Sequence, residues 1–331
     1  MKSWIITGTG EPRDVSSLGE LESPEPGPGE LVLQTRHAGL NLADTLLCRG
    51  RYQDAPPVPF VPGLELSGVV HLTGQGTNFL RGQRVLSTPG LPHTDVGALS
   101  EYVVVAEKET VAIPDSVSFE QAAALPVAYV TADLALHRRG HLQAGETLLV
   151  QGASGGVGAA AVQLGKAAGA TVIAVAGGVE KTALCHRLGA HHTIDDQRVD
   201  VVTTVLELTA GKGVDVVVDP VGGAAFEDSR RCIAVDGRLL VIGFASGDIP
   251  TLPVNRTLLR GFAVVGVNRD LCRREQPEIY RESLQRVVDR VAAGELDPWI
   301  DTVMDMSEVL DGWDRLEKRD VKGKLLIRVA S

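Results

Sequence analysis

The stretch from Leu148 to Gly158 constrains the fold more than any other part of this chain. It reads Leu-Leu-Val-Gln-Gly-Ala-Ser-Gly-Gly-Val-Gly: an apolar run enters a glycine-rich turn and leaves as a helix. Ala153, Gly155 and Gly158 stand in A-x-G-x-x-G spacing, with Ala in place of the first glycine of the dinucleotide-binding fingerprint. At the second position a glycine lets backbone approach a pyrophosphate, and at the third it lets the helix pack close to the strand. The helix N-terminus offers free N–H groups and a partial positive charge to an anion. Ala153, Ser154, Gly155, Gly156, Val157 and Gly158 are therefore candidate cofactor-binding residues. Such a turn needs strand–helix–strand surroundings, and the sequence supplies them. Residues 147–151, 171–176, 214–219 and 238–242 read as continuous Val/Ile/Leu strands, with helices expected over 156–168 and through Lys181-Thr182-Ala183-Leu184. Strands without polar alternation belong to a sheet buried on both faces. Their alternation with helices predicts a doubly wound parallel sheet, an α/β fold of the Rossmann type.

The chain before Pro114 has a different texture. Short apolar runs at 31–35, 68–72, 84–86 and 99–105 are separated by Gly- and Pro-rich turns, which predicts a compact, barrel-like β domain. Ser118 and Gln121 have the spacing of a helix capping box. Beyond Arg274 an amphipathic helix carries Ile279, Leu284, Val287, Val288 and Val291, a short helix follows near Val309-Leu310, and a lone strand is expected over 324–329. A lone terminal strand is best explained by pairing with the first domain. The parallel-sheet domain is then an insertion, with expected boundaries at 1–119 plus 269–331 for the β-rich domain and 120–268 for the dinucleotide-binding domain.

Composition narrows the function classes. A chain of 331 residues that is 44% hydrophobic can bury a large core, so disorder is excluded as its main state. A formal charge of −10 and an aromatic content of 4% argue against a nucleic-acid groove or stacking platform. The four cysteines are far apart with no C-x-x-C, so neither a zinc ribbon nor a disulfide scaffold is encoded. Reduced thiols in a cytoplasmic protein are the simple expectation. The N-terminus lacks a signal-peptide apolar core, and no apolar stretch is long enough to predict a membrane span.

A sheet that binds NAD usually carries Asp or Glu about 20 residues after the fingerprint, to hold the ribose 2′-hydroxyl. Here the second strand ends Val175-Ala176-Gly177-Gly178, without an acid, and Lys181 opens the next helix. Room at Gly177 and a cation at Lys181 favour a 2′-phosphate and hence NADPH. Lys181 can also be an ordinary solvated helix-face charge, and Asp195 and Asp196 would weaken the preference if they point into this pocket.

Further segments complete a pattern. They include Asn41-Leu42-Ala43-Asp44, Gly50-Arg51-Tyr52, Pro62-Gly63-Leu64-Glu65-Leu66-Ser67-Gly68, Gly82-Gln83-Arg84-Val85 and Gly97-Ala98-Leu99-Ser100-Glu101-Tyr102. Leu125-Pro126-Val127-Ala128-Tyr129-Val130-Thr131-Ala132 and Gly323-Lys324-Leu325-Leu326 follow. In order and spacing, nearly end to end, the chain resembles the zinc-free quinone oxidoreductase (zeta-crystallin-like) branch of the medium-chain dehydrogenase/reductase superfamily. The resemblance implies a GroES-like β-rich domain holding the inserted Rossmann-type sheet. Zinc-dependent relatives carry Cys where this chain has Asn41, His where it has Leu64, and a third ligand, often Cys, near Val127. None of those residues offers a thiolate or imidazole, so no metal site is expected. Without a Lewis acid, ordinary alcohol oxidation is disfavoured, and reduction of a quinone or conjugated C=C remains.

The resemblance also implies roles. Asn41 and Thr131 match residues near the nicotinamide and substrate, Gly243-Phe244 matches the segment lining the nicotinamide amide, and Lys181 with Arg319 matches cationic ligands of the NADPH phosphate. The chain departs from the family near Asp196, where a Tyr is usual. Tyr52 matches a tyrosine implicated in catalysis by enoyl-thioester reductases; it is either a proton donor or a packing residue with its hydroxyl bonded. Asp44 is more simply a backbone-capping carboxylate than a proton donor. Three functions stay open: an NADPH:quinone reductase, an enoyl-thioester or 2-alkenal reductase, and a non-catalytic NADPH-binding protein, as in lens crystallins of this family. The expected partner is a small-molecule electron acceptor. The apolar run Phe262-Ala263-Val264-Val265-Gly266-Val267, at the end of the sheet domain, predicts a homodimer through an otherwise exposed strand edge.

Overall fold

The computed structural model describes residues 1–52, 55–90 and 96–330. Strands in chain order are β1 (Lys2–Ile6), β2 (Ser16–Glu20), β3 (Glu30–Leu40), β4 (Leu66–Thr73), β5 (Arg84–Ser87), β6 (Tyr102–Ala106), β7 (Thr110–Ala112) and β8 (Thr147–Val150). They continue with β9 (Thr171–Ala176), β10 (His192–Asp195), β11 (Val214–Asp219), β12 (Ile233–Val241), β13 (Ala263–Gly266), β14 (Ile300–Asp305) and β15 (Lys324–Arg328). The chain forms two compact units, Met1–Val127 with Leu271–Ser331, and Ala128–Asp270.

The first unit is built on a seven-stranded sheet ordered β14-β15-β3-β4-β5-β7, with β6 also paired to β3. The terminal strand β15 does return to the N-terminal strands: Leu325 lies opposite Leu40 on antiparallel β3. Only residues 31–35 of β3 are legible as a strand, yet it runs for 11 residues. It is extended because it is central, pairing with β4, β6 and β15 in turn. Leu31, Leu33, Val70, Val85, Val103, Leu325 and Ile327 form its core with Trp4 and Trp313. The expected strand 99–105 begins later, at Tyr102, because Leu99 and Ser100 are engaged by β1: Trp4 N–H donates to Leu99 O and Ser3 bridges Ser100. The Ser118–Gln121 capping box forms, and the helix it opens, Phe119–Ala123, packs on β3 and β4 of this unit. The amphipathic helix expected beyond Arg274 is present as Pro277–Ala292 and carries all five named apolar residues. It starts at Pro277, separate from the helix Arg269–Glu275 before it, because proline is suited to the first helical turn and cannot continue a preceding helix.

The second unit is a six-stranded, all-parallel sheet ordered β10-β9-β8-β11-β12-β13. This is the doubly wound order, reversing beside β8. Leu149 of β8, Ile173 and Val175 of β9, Val217 of β11 and Leu239 of β12 are all buried, as a sheet covered on both faces requires. β12 starts earlier than the apolar run at 238–242 suggests, because Ile233 pairs with Val214 before a register shift.

Candidate functional site

In the second unit all strands are parallel, so their C-terminal ends share one edge, where such sheets bind ligands. The turn after β8 sits there. Ala153 and Ser154 are buried, and Ala153 N–H donates to Val175 O on the neighbouring strand. Gly155 is the N-cap of the helix Gly156–Ala167, so the first-turn N–H groups of Gly156, Val157 and Gly158 have no acceptor within the helix. A Cβ on Gly158 would stand 2.2 Å from Gly152 O and 2.6 Å from Ala153 Cα, so helix and turn touch through this glycine. A Cβ on Gly155 would meet nothing nearer than 3.5 Å. The turn is thus closed behind Gly158 and open above Gly155, a cradle that fits a pyrophosphate.

The end of β9 is less simple than the sequence suggests. Gly177 and Gly178 lead into the helix Val179–Arg187, which carries Lys181 in its first turn. Asp195 ends β10 opposite Ala176, and its Oδ1 accepts from Gly178 N–H at 2.8 Å. A Cβ on Gly177 would find Asp196 Oδ1 at 3.1 Å and Gln197 Nε2 at 2.7 Å. Two carboxylates thus reach the glycines from the next strand, although β9 itself ends without one. Gly243 and Phe244 follow β12; Ala245 N–H donates to Pro220 O, and the Phe244 ring lies against Gly222. Thr131 is buried in the short helix Val130–Asp133, between the π-helical segments Leu125–Tyr129 and Leu134–Arg139. Such segments recur at functional sites.

In the first unit the structure gathers residues that the sequence scatters. Asn41 caps the helix Leu42–Cys48, and its backbone N–H donates to Asp44 Oδ2 at 2.8 Å. Asp44 is therefore the capping carboxylate expected. It is fully buried, and burial pushes its pKa up to about 7. The Asn41 side chain donates from Nδ2 to Glu65 Oε1 at 3.0 Å and accepts at Oδ1 from Lys324 Nζ at 2.8 Å. Lys324 Nζ also donates to Glu65 Oε1 at 2.5 Å, and Glu65 Oε2 accepts Val127 N–H at 2.8 Å. Leu64, next to Glu65 in sequence, is buried and belongs to the apolar core. Tyr52 is half-buried and packs against the same core. Arg319 follows the helix Val309–Glu317 with a left-handed φ of 56°. Among the described residues, no group of three or more His, Cys, Asp or Glu is placed to hold a metal ion. Cys48, Cys185 and Cys232 are buried thiols whose pKa burial pushes up to about 12.

Comparison with known proteins follows the same division. The alcohol dehydrogenase GroES-like domain family matches residues 27–115, and the zinc-binding dehydrogenase family matches residues 156–289. A quinone oxidoreductase-like protein 2 of Bos taurus is 35% identical over 93% of this chain and 88% of its own. The chain belongs to the quinone oxidoreductase branch of the medium-chain dehydrogenase/reductase superfamily. Its fold, a GroES-like domain with a Rossmann-type parallel sheet, is that of the branch. The quinone oxidoreductase of Pseudomonas syringae superposes with a TM-score of 0.90 at 31% identity, covering 99% of each chain. That of Escherichia coli, solved with NADPH, gives 0.89 at 25% identity over 99% of this chain and 100% of the other. As a quinone oxidoreductase relative the chain is an oxidoreductase. Glu65 and Lys324 lie within the quoted motifs, but nothing around them in the sequence assigns either a role. Their one local signal is a charged residue at the edge of an apolar run, in Leu64-Glu65-Leu66 and Lys324-Leu325-Leu326.

Proposed function

We propose that this protein is an NADPH-dependent, zinc-free oxidoreductase that reduces a small, conjugated, quinone-like acceptor. The observation that carries this reading is the coexistence of an open phosphate turn with a replaced ligand set. A zinc ion does not fit the residues at 41, 64 and 127. Asn41 has both ends of its carboxamide committed to Glu65 and Lys324, Leu64 is apolar, and Val127 has an apolar side chain and a backbone N–H that is already donated. Zinc needs thiolate, imidazole or carboxylate donors.

The cradle at 153–158 fits NADPH, which would supply the hydride when bound. Gly156, Val157 and Gly158 would present their N–H groups to the pyrophosphate, and Gly155 leaves the space for it. Lys181 would neutralise the 2′-phosphate; Arg319 is proposed as a second cation on family resemblance. Gly177, Gly243 and Phe244 are proposed to line the adenosine and nicotinamide ends. Asn41 and Thr131 are proposed contacts of the nicotinamide and substrate. Water can protonate a reduced quinone, so this chemistry needs no acid from the chain. The name of the Bos taurus relative and the NADPH held by the Escherichia coli structure support acceptor and cofactor alike. We also propose a homodimer and a cytoplasmic location. No helix among the described residues is long and apolar enough to cross a membrane.

Steady-state oxidation of NADPH against panels of quinones, enones and an enoyl thioester tests the reading. Turnover with quinones well above the other panels is expected. Preference for an enoyl thioester would transfer the assignment to C=C reduction, and binding without turnover on any panel would make the protein a cofactor-binding one. Elemental analysis of the purified protein is expected to find no stoichiometric zinc, and chelator treatment should leave activity intact.

A further inference from the structure

Lys324 and Glu65 are almost wholly buried, with side chains 4% and 0% exposed, and they are paired directly. A buried ion pair is weak evidence for stability, because apolar replacements of similar volume are often neutral or better. This one has a third member. An ammonium can only donate and a carboxylate can only accept. Between them lies a carboxamide with one end of each kind: Asn41 Oδ1 faces Lys324 Nζ, and Asn41 Nδ2 faces Glu65 Oε1 and Gly39 O. Rotating the amide by half a turn would set its NH2 against the ammonium and its oxygen against the carboxylate. The two charges therefore dictate which way the amide points.

The fold is shaped to hold them there. β3 ends at Leu40, next to Asn41. Its neighbour β15 begins with Lys324, whose Nζ also donates to Leu40 O at 3.1 Å. Its other neighbour β4 begins just after Glu65. A Cβ on Gly39 would stand 2.3 Å from Glu65 Oε1, so a glycine at 39 makes the space the carboxylate occupies. Asn41 itself stays partly exposed while both charges behind it are hidden.

We propose that Lys324 and Glu65 are positioning residues: a charge-coded clamp that fixes the orientation of the Asn41 carboxamide for the nicotinamide and acceptor. The inference rests on the proposed role of Asn41, and its test separates the two. The chain has four asparagines, Asn41, Asn78, Asn255 and Asn268, so selective 15N-Asn labelling of the full chain resolves the Asn41 side-chain amide. In the wild type, its NH2 protons should exchange at least about tenfold more slowly than those of exposed Asn255. The paired variant Glu65→Gln with Lys324→Met removes both charges but keeps an acceptor for Val127 N–H. With its oxygen on Val127 N–H, the amide at 65 turns its own NH2 toward Asn41 and the fixed acceptor for Asn41 Nδ2 is lost, so the protection should fall about tenfold while the other three amides stay unchanged. Turnover should fall about tenfold or more with KM for NADPH held within threefold, the mark of lost orientation rather than lost cofactor binding. The single variant Lys324→Arg, which keeps both a cation at 324 and Glu65, should hold protection and turnover near the wild-type values. Unchanged Asn41 protection and turnover in a folded paired variant would overturn the clamp. If that variant does not fold, wild-type exchange at Asn41 as fast as at Asn255 overturns it alone. Absence of turnover in the wild type would remove the functional reading, and the exchange data would still decide the clamp.

Discussion

Burial raises the Asp44 carboxyl from an ordinary value of 3.8 to about 7, against the opposing pull of the Asn41 N–H and of Lys324. The folded state then holds a proton that the unfolded chain releases near pH 4. This contribution to stability is complete below about pH 4 and is lost as pH rises through about 7. Asp44→Asn keeps an acceptor for Asn41 N–H and cannot ionise. Thermal unfolding from pH 5 to 8 should therefore show a shallower loss of stability in the variant; parallel profiles would contradict the assignment. Lys181 carries a second prediction at this scale. Lys181→Ala should weaken NADPH by about 1–3 kcal/mol, by loss of a charge-assisted bond, with little effect on NADH. Asp195 and Asp196 at the same glycines predict that the wild-type preference for NADPH is modest and that Asp196→Asn enlarges it. Calorimetric titration of both cofactors at fixed salt reads all three numbers, and a wild-type preference for NADH would reject the NADPH assignment. Tyr52 packs on the core, so Tyr52→Phe should leave quinone turnover within a few-fold. A loss on the order of 10²–10⁴ would instead make its hydroxyl a general acid and favour C=C reduction.

At the scale of elements, two glycines of one turn are separable by what a methyl group would touch. At Gly158 it would collide with Gly152 O and Ala153, which are backbone and cannot rotate away. Gly158→Ala should therefore push the helix Gly156–Ala167 off β8 and cost about 1–3 kcal/mol of stability, as overpacking does. At Gly155 the methyl group meets only ordinary contacts, and the backbone has φ of −81°, which alanine adopts freely. Gly155→Ala should leave the melting temperature unchanged and weaken NADPH by about tenfold or more, because it fills the space left for the pyrophosphate. Unfolding curves and cofactor titrations on the two variants check this contrast. Equal effects on both quantities would show that the turn is structural only.

For the whole molecule, the proposed homodimer turns on the edge of the parallel sheet. β13 is the last strand in its order, and Val264 on it is exposed. Val254, Leu258 and Leu259, in and beside the helix Asn255–Arg260, are exposed by 79%, 82% and 72%. An open strand edge beside apolar side chains invites uncontrolled association unless another strand covers it. A second copy of β13 related by two-fold symmetry satisfies both edges at once. Light scattering at micromolar concentration should give twice the 35.0 kDa chain mass. Val264→Lys, on an exposed position that folding tolerates, should give monomers. A monomeric wild type would refute the homodimer.

Local patterns in the chain suffice for the doubly wound sheet, the glycine-rich turn after β8, the capping box at Ser118 and the return of the last strand. Each is written in local terms: continuous apolar runs, glycine spacing, a cap three residues from its partner. β9 and β11 were legible to the residue for that reason. Where ends were misplaced, a remote partner had overridden the local pattern, as β1 does at Leu99 and Ser100. How Asn41 is held and what approaches Gly177 follow from contacts between segments distant along the chain. Lys324 lies 283 residues from Asn41 and Glu65 lies 24 away. Their meeting depends on the register of β3 against β15 and β4; each strand's alternation says which face points inward, but which strands become neighbours is settled by segments remote in sequence. Asp195 and Asp196 likewise reach the glycines after β9 only because β10 pairs beside it in parallel.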